Sequence, residues 1–358
     1  MTRHVTTTRR EILRRGAALA AGFVALPLLD ACGQAAAPAN PTLAAVSPTL
    51  APTPTPLPPP ETKTFRIQCA ACDAPIMAAE PYLRDEGFTD ITITDTGGVA
   101  ALAAGKLDMT IAFPPSLVNA VQSGLKVEAL GGLHPGCAEI WAAPSVAGLA
   151  DLRGKTLVVR SKAISELGYS YPAVVLRQAG VDIKDLNVVV QADADPVKLF
   201  LDGKNDAVFV GTTSAVALKA NPANKGHLIH SQTMDEPWSK LDCCILVTSE
   251  DWYRANPIAA KRALRAIYRS ADALGDDRAA AAKLATDKGL FGGAAAYANV
   301  REAANMVPLA WRESDPEKSV RFFAPLLTDT GLMKITVDDV LRTLDVRDLR
   351  DIQADLKK

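Results

Sequence analysis

The body of the chain contains two successive rounds in which short apolar segments of strand type alternate with helical segments. The first round starts at Thr64 and the second follows Ala142. Each round has a Gly-Lys pair followed by an acidic residue and an apolar strand, at residues 105–108 and 203–206. Strands that alternate with helices of about 10–15 residues form parallel sheets with right-handed crossovers. The pattern therefore predicts an α/β fold made of two similar units.

The second round is followed by mainly helical sequence. Asn256 and Pro257 open a long helix that is predicted to run through Leu274, and several amphipathic helices follow it. Two α/β units with a helical end are typical of a two-lobed binding protein whose ligand cleft lies at the carboxyl ends of the strands. The predicted divisions are lobe 1 (64–142 and 243–300), lobe 2 (143–242) and C-terminal helices (301–358).

Composition and charge exclude some classes of protein. With 48% hydrophobic residues the chain can form a sizeable core, which excludes global disorder. A formal net charge of -1 argues against a nucleic-acid partner, because such proteins need a basic surface to displace counterions from phosphates. Only 4 His leave little room for a histidine-rich metal site.

Residues 1–31 have the features of an export leader. A basic segment is followed by an apolar run at 17–29 that is too short to cross a bilayer of about 30 Å comfortably. Residues 8–14 resemble the twin-arginine export motif. Residues 29–32 resemble a bacterial lipobox, in which Cys32 would be acylated, although Asp30 is unusual there; the alternative is a plain signal peptide. Removing the leader takes away five basic and two acidic residues and leaves a net charge of -4.

Residues 32–63 are predicted to form a tether. Nine of the 24 Pro lie between Pro38 and Pro60, and no Lys or Arg occurs between Arg15 and Lys63. Such a composition favours extended polyproline II and cannot bury a core. Leader, tether and body together predict a protein anchored by lipid to the outer face of the cell membrane.

Several groups of residues occur along the body in an order found in one known family. They lie at 72–75 with 86–90, at 112–116, at 133–137, at 237–239 with 243–244, at 256–264 and at 311–317. On these residues the chain resembles the solute-binding proteins of ABC importers in the nitrate/sulfonate/taurine and thiamine-precursor (NMT1/THI5-like) branch, from Thr64 to about Leu332. The resemblance implies a type II periplasmic-binding fold, with two lobes joined by two crossing segments.

Two loops of lobe 1 supply candidate ligand contacts. Cys69 and Cys72 have the spacing of a redox or metal motif. No second CxxC pairs with it, so we favour a ligand-facing loop with one buried cysteine, and a local disulfide stays open. The candidates in this loop are Cys72, Asp73 and Pro75. Phe113, Pro114 and Ser116 begin a helix whose N-terminus would offer N–H groups to an anionic or polar ligand, unless they form an ordinary strand-to-helix turn.

The second lobe supplies equivalent candidates. Ser161 and Ser165 lie in the corresponding turn, where N-capping by Ser165 is the alternative role. Gly211 and Thr212 follow a later strand. Trp238 lies in a loop and either stacks on a planar ligand or plugs the hinge.

A last group of candidates lies near the two predicted crossings. His134, Gly136 and Cys137 are near the first crossing, and Cys243 and Cys244 are near the second. The crossings are neighbours in the implied fold, so these Cys and His side chains are expected to converge. Such a set suits a metal or thiolate site, but we favour a packed hinge with small apolar cysteines and expect neither a metal nor a cofactor.

The predicted function is capture of a small polar or anionic ligand (sulfonate, nitrate or pyrimidine-like) in the cleft between the lobes. Closure of the hinge would present the loaded protein, a monomer, to the membrane subunits of an ABC permease, with no covalent chemistry. The alternative is a THI5-like or dehydratase-like enzyme on the same fold, with a Cys/His metal site. The sequence has no Ser-His-Asp signature, no HExxH motif and no convincing carboxylate pair to support it.

Overall fold

A computed structural model describes residues 57–275 and 278–356. The predicted leader (1–31), the lipidation site Cys32 and the tether up to residue 56 lie outside the described residues. Within the described ranges, no helix combines the length and the apolar character that a bilayer crossing requires.

The strands and helices follow each other in the alternating order that the sequence predicts. The described strands are β1 (Thr64–Gln68), β2 (Asp90–Thr94), β3 (Met109–Ala112), β4 (Val127–Pro135), β5 (Ala138–Ala142), β6 (Thr156–Val159), β7 (Asn187–Val190), β8 (Ala207–Gly211), β9 (His227–Ser231) and β10 (Asp242–Ser249). The described helices are α1 (Ala74–Met77), α2 (Glu80–Asp85), α3 (Gly98–Ala103), α4 (Pro114–Gln122), α5 (Leu167–Gln178), α6 (Pro196–Leu201), α7 (Thr212–Ala220), α8 (Glu250–Ala255), α9 (Pro257–Leu274), α10 (Ala279–Asp287), α11 (Tyr297–Asn305), α12 (Pro316–Asp329), α13 (Val337–Leu341) and α14 (Arg347–Asp355).

The strands form two five-stranded mixed sheets of matching topology. The first has the order β2-β1-β3-β10-β4, with β1 parallel to β2 and β3 and with β10 antiparallel to β3 and β4. The second has the order β7-β6-β8-β5-β9, with β6 parallel to β7 and β8 and with β5 antiparallel to β8 and β9. The fold is the predicted pair of α/β lobes.

The chain passes between the sheets twice. The first crossing (136–137) joins β4 to β5, and the second crossing (232–241) joins β9 to β10. The sequence placed residues up to Ala142 in lobe 1, but β5 is hydrogen-bonded into the second sheet, so the change of lobe comes at the first crossing. No helix separates β4 from β5, so strand–helix alternation does not mark the boundary. The Pro135-Gly136 pair, a turn signal, is its local sign.

Local sequence accounts for most elements and for their irregularities. In β1, Phe65 and Ile67 are fully buried and alternate with half-buried residues, as a strand with one core face requires. Between β1 and β2 the chain forms two short helices, α1 and α2, and Pro81 lies in the first turn of α2. The long helix α9 matches its predicted span and buries an alanine-rich face.

The last residues of the predicted tether are docked on the body. The Glu61 carboxylate accepts hydrogen bonds from the backbone N–H groups of Ile258 (3.0 Å) and Ala259 (2.8 Å) in the first turn of α9. Arg262 donates to the carbonyl oxygens of Leu57 (2.6 Å) and Pro58 (2.7 Å). Residues 57–61 are therefore part of the folded body, because the free N–H groups of a helix start attract a carboxylate.

One hydrophobic core extends across both lobes. It joins Leu117 and Val118 of α4 to Tyr171 and Val174 of α5, and Phe323 of α12 packs into the same cluster. The C-terminal helices are thus not a separate tail. They contact both lobes, with α12 on α4 and α5, and α11 on α10 and α7.

The buried carboxylate of Glu86 provides a test of this packing. It accepts hydrogen bonds from Arg265 (2.7 Å to Nε) and Arg262 (2.9 Å) on α9. We expect Glu86→Ala to lower the free energy of unfolding by about 2 kcal/mol, because two half-buried guanidinium groups lose the buried carboxylate that they share. Urea denaturation measures the change. Glu80→Ala, in a half-buried ion-pair cluster at the start of α2, should cost less than about 1 kcal/mol, and equal losses would contradict the interpretation.

Candidate functional site

A cavity of about 450 Å³ lies between the two sheets. Gln68, Phe113 and Ser116 line it from the first lobe, and Phe209 and Thr212 line it from the second. Its wall is completed by Cys137 of the first crossing and by Cys243 and Cys244 at the start of β10. The cavity is therefore built by both lobes at the place where the chain changes sheet, which is where a ligand would contact both at once.

About half of the sequence-predicted contacts line this cavity. They are Cys72, Phe113, Ser116, Cys137, Gly211, Thr212 and Cys243. The other candidates lie outside its wall: Asp73, Pro75, Pro114, His134, Gly136, Ser161, Ser165 and Trp238. Of these, six are buried in the surrounding structure: Asp73, Pro75, Pro114, His134, Gly136 and Trp238.

The predicted serine contacts of the second lobe do not reach the cavity. Ser165 is exposed, and the cap of α5 is Glu166, whose carboxylate accepts from the Gly168 N–H. Ser161 accepts a local hydrogen bond from the Ala163 N–H. The predicted N-cap role of Ser165 is therefore wrong, because the helix begins two residues after it.

Trp238 lies inside the second crossing and is only 2% exposed. Its ring packs edge-on against Phe322 (4.9 Å between centroids), Phe323 and Tyr171. This tryptophan therefore joins the second crossing to the core shared by the lobes and does not face the cavity.

Several helices begin at the cavity wall, among them α3, α4, α5 and α7, and α4 and α7 differ as binding elements. Helix α4 starts with Pro114 and Pro115, neither of which has an N–H to donate. Helix α7 starts with Thr212 and Thr213, which keep their N–H groups and add hydroxyls. The N-terminus of α7 is therefore the better position for an anionic or polar group of a ligand.

Phe209 is a cavity residue that the sequence analysis did not single out. It lies in β8 between the buried Val208 and Val210, so strand alternation turns its ring to the opposite face. Its ring is 5.4 Å from Tyr171, which in turn is 5.5 Å from Phe113 of the first lobe. The sequence signal for this residue was its position between two valines in an apolar strand, because alternate side chains of a strand face opposite sides of the sheet.

Three cysteines and one histidine converge beside the cavity. The ligand atoms of Cys72, His134, Cys137 and Cys244 all lie within 4.8 Å of one another. The Cys137 sulfur is 3.6 Å from the Cys72 sulfur, 3.7 Å from the Cys244 sulfur and 3.9 Å from His134 Nδ1. The described cysteines are free thiols. This set of donors is the kind that could hold a thiophilic metal ion.

His134 is fully buried, and Asp73 fixes its ring. His134 Nε2 is 3.0 Å from Asp73 Oδ1, while Asp73 Oδ2 accepts from the Ala70 N–H at 2.6 Å. Burial lowers the pKa of His134, but the Cys137 sulfur and the hydrogen bond with Asp73 outweigh it and raise the pKa well above its ordinary value. Burial raises the pKa of the Cys137 thiol. Without a cation, the cluster is thus made of neutral thiols beside a His–Asp pair.

Strand pairing and one glycine bring the cluster together. Cys244 of β10 is the ladder partner of His134 in β4. Gly136 has φ +77, and a Cβ there would lie 2.4 Å from Thr233 Oγ1 of the second crossing. Glycine therefore lets the first crossing turn sharply against the second, so that Cys137 folds back toward His134.

The family model described as NMT1/THI5 like matches residues 77–281, more than half of the chain. The chain belongs to the NMT1/THI5-like family. No curated protein matches it in sequence.

Solved structures place this NMT1/THI5-like protein in the type II periplasmic-binding fold, as predicted. The alkanesulfonate-binding protein SsuA from Xanthomonas axonopodis pv. citri, bound to MOPS, is 18% identical with a TM-score of 0.61, over 80% of this chain and 99% of that chain. The nitrate-binding protein NrtA from Synechocystis PCC 6803 is 14% identical with a TM-score of 0.63, over 83% and 89%. The desulfurization enzyme DSZB is 14% identical with a TM-score of 0.52, over 82% and 99%.

In this NMT1/THI5-like protein, Asp242 ties both crossings to the C-terminal helices. It is the ladder partner of Pro135, and its Oδ2 accepts from the Asp315 N–H (3.1 Å) and from the Ser319 hydroxyl (3.2 Å). A Cβ at Gly132 would lie 2.1 Å from Asp242 Oδ1, so only glycine fits beside this carboxyl. Burial raises the pKa of Asp242 to about 6 and outweighs these hydrogen bonds, which lower it.

The raised pKa predicts a pH dependence of stability. The folded state favours the protonated carboxyl of Asp242. Its contribution to stability is therefore complete below the pKa of about 3.9 in the unfolded chain, and it is lost as the pH rises through the folded pKa of about 6. Raising the pH from about 4 to about 7 should therefore lower the free energy of unfolding by about 2 kcal/mol through Asp242. Urea denaturation of the wild type and of Asp242→Asn across this range measures it. The difference between the two proteins should change by that amount, and a constant difference would contradict the assignment.

Proposed function

We propose that this protein is the solute-binding component of an ABC importer and captures a small molecule in the cavity between its lobes. The observation that carries the proposal is that the cavity wall combines Gln68 and Phe113 of one lobe with Phe209 and Thr212 of the other. Proteins of this fold that are named for the sulfonate or nitrate they bind support the same class of function.

The cavity favours a small ligand with an apolar part and one polar or anionic group. None of its described lining residues is Asp, Glu, Lys or Arg. Phe113 and Phe209 offer apolar ring surface, while Thr212, Thr213 and the free N–H groups of α7 offer hydrogen-bond donors. An aliphatic or aromatic sulfonate, or a pyrimidine, has this combination of groups.

A neighbouring cavity of about 640 Å³ extends along the second lobe and shares Leu167, Phe209 and Gly211 with the first. It contains charged side chains, among them Arg160 and Asp195. We assign ligand capture to the first cavity, because residues of both lobes line it and because ligand contacts with both lobes are what favour the closed state. Hinge closure then presents the loaded protein to the permease.

A substitution at the start of α7 tests the location of the site. A thermal-shift screen with aliphatic sulfonates, nitrate and pyrimidines should give a compound that stabilises the wild type by about 2.7 kcal/mol at one hundred times its Kd. Thr213→Trp should reduce its affinity at least about tenfold by filling the cavity, while Thr213→Ser should keep it. Scattering should show a smaller radius of gyration with ligand. Equal binding to both variants, or an unchanged radius, would contradict capture in the cleft.

An enzyme on the same fold is the second candidate, favoured by the thiols in the cavity wall and by the shared fold of DSZB. Mass spectrometry of the bound compound after prolonged incubation separates the two functions. A solute-binding protein returns the compound unchanged. Conversion to product by the wild type would establish the enzyme and exclude a purely capturing role.

We also propose that the protein lies outside the cytoplasm and is anchored through a lipid on Cys32. The support is the lipobox-like sequence at 29–32 and the proline-rich segment after it. Labelling of cells with a fatty-acid analogue should mark the wild type and leave Cys32→Ser unmarked, with the variant moving to the soluble fraction. Cys69→Ser, a buried cysteine of the body, is the control and should remain labelled. Labelling of Cys32→Ser would refute the anchor.

A further inference from the structure

We propose that Cys72, His134, Cys137 and Cys244 form a binding site for a zinc-type divalent cation, where the two crossings meet the first lobe. This site goes beyond the proposed transport function and does not depend on it. The inference starts from the arrangement of four donor atoms that the backbone holds together.

The distances match the coordination shell of such an ion. A tetrahedral ion with metal–sulfur bonds of about 2.3 Å has its sulfur atoms about 3.8 Å apart. The Cys137 sulfur lies 3.6 Å from the Cys72 sulfur and 3.7 Å from the Cys244 sulfur. His134 Nδ1 lies 3.9 Å from the Cys137 sulfur, so the nitrogen completes a Cys₃His set. The distances from the Cys137 sulfur are therefore close to the spacing that binding requires, and the other donor pairs lie within 4.8 Å.

The histidine is oriented as a ligand. Its Nε2 faces Asp73 Oδ1 at 3.0 Å, which leaves Nδ1 on the side of the three sulfur atoms. Histidines that bind metals usually donate their other N–H to a carboxylate or carbonyl, which fixes the tautomer and the ring. Asp73 is itself held by the Ala70 N–H at 2.6 Å. Asp73 is therefore the positioning residue of the site.

The donors come from three segments. Cys72 lies in the loop after β1, His134 and Cys137 lie at the first crossing, and Cys244 lies in β10 just after the second crossing. The ladder pair of Cys244 with His134 fixes two of them directly. Cys69 and Cys243, although close in sequence, are not members of the four-residue group.

A packed hinge without metal is the competing interpretation. There the ring would be protonated and held between Asp73 and the Pro135 carbonyl, which lies 3.2 Å from Nδ1. That arrangement buries an ion pair, which is costly, and gives the three thiols no role. Metal binding uses all of these groups: the thiols and Nδ1 release their protons to solvent as the bonds to the ion form.

Charge selects the kind of ion. Three thiolates and a neutral imidazole leave a net charge of about -1 with a divalent ion and about -2 with a monovalent one. The Asp73 carboxylate beside the site makes the larger negative charge harder to bury. Four protein donors also leave no open position, which is typical of a structural site. The ion would hold both crossings against the first lobe.

Cobalt and zinc titrations of the purified full chain, kept anaerobic with a non-thiol reductant, test the site. We expect one Co²⁺ per chain, with the intense visible bands of tetrahedral thiolate coordination. Zn²⁺ should displace it and raise the unfolding temperature. Cys72→Ser, Cys137→Ser and Cys244→Ser should each weaken binding at least about tenfold, and Asp73→Asn should weaken it about 10- to 100-fold.

Cys69→Ser is the matched control and should bind cobalt like the wild type. Circular dichroism checks the fold of every variant. The proposal is overturned if the wild type gives no thiolate–cobalt bands while its thiols titrate as free. It is also overturned if Cys69→Ser loses cobalt binding to the same extent as Cys72→Ser. A disulfide between Cys72 and Cys137 whose reduction restores no metal binding would overturn it as well. Ligand capture is tested separately by the Thr213 variants, which leave the four metal donors in place.

Discussion

The antiparallel pairing of β10 between β3 and β4 is the constraint on which the rest of the structure depends. It returns the chain to the first sheet after the second lobe is complete, and it forces the second crossing to run beside the first. The same ladder places Cys244 opposite His134 and Asp242 opposite Pro135. The wall of the cavity, the cluster of sulfur atoms and the link to the C-terminal helices all follow from this register, since a shift by one residue would turn each of these side chains to the other face of the sheet.

The parallel part of the fold could be predicted from the sequence, but the crossing strands could not. The parallel strands alternate with helices along the chain, and polar turns mark where each element ends. These strands are β1, β2, β3, β6, β7 and β8. β4 and β5 follow one another with only residues 136–137 between them, so no periodicity separates them. The rule that ligands bind at the carboxyl ends of strands predicted Phe113 and Thr212, which line the cavity, but also Ser161, which does not. Which loop turns inward depends on packing between lobes, and local sequence carries no record of it.

The composition of the cavity wall limits where a polar or anionic group of a ligand can bind. Its described lining has no charged side chain, and the two prolines at the start of α4 remove the N–H groups that a helix would otherwise present there. The start of α7, with its two threonines, keeps such N–H groups and adds hydroxyl donors. The opposite wall contributes the apolar ring of Phe113 and the side-chain amide of Gln68, which can itself hydrogen-bond a polar group. Polar donors therefore lie on both sides of the cavity, with apolar ring surface between them.

The C-terminal helices limit how the lobes can move. Helix α12 packs on α4 of the first lobe and on α5 of the second, while α11 packs on α10 and α7. Trp238 and Phe323 fill the same core from the second crossing and from α12, and Phe113 contacts Phe323 at 5.4 Å. A wide rotation about the crossings would expose this shared apolar surface to water, at roughly 25 cal/mol per Å². The hinge closure that we propose is therefore expected to be a limited rotation that keeps this apolar surface covered.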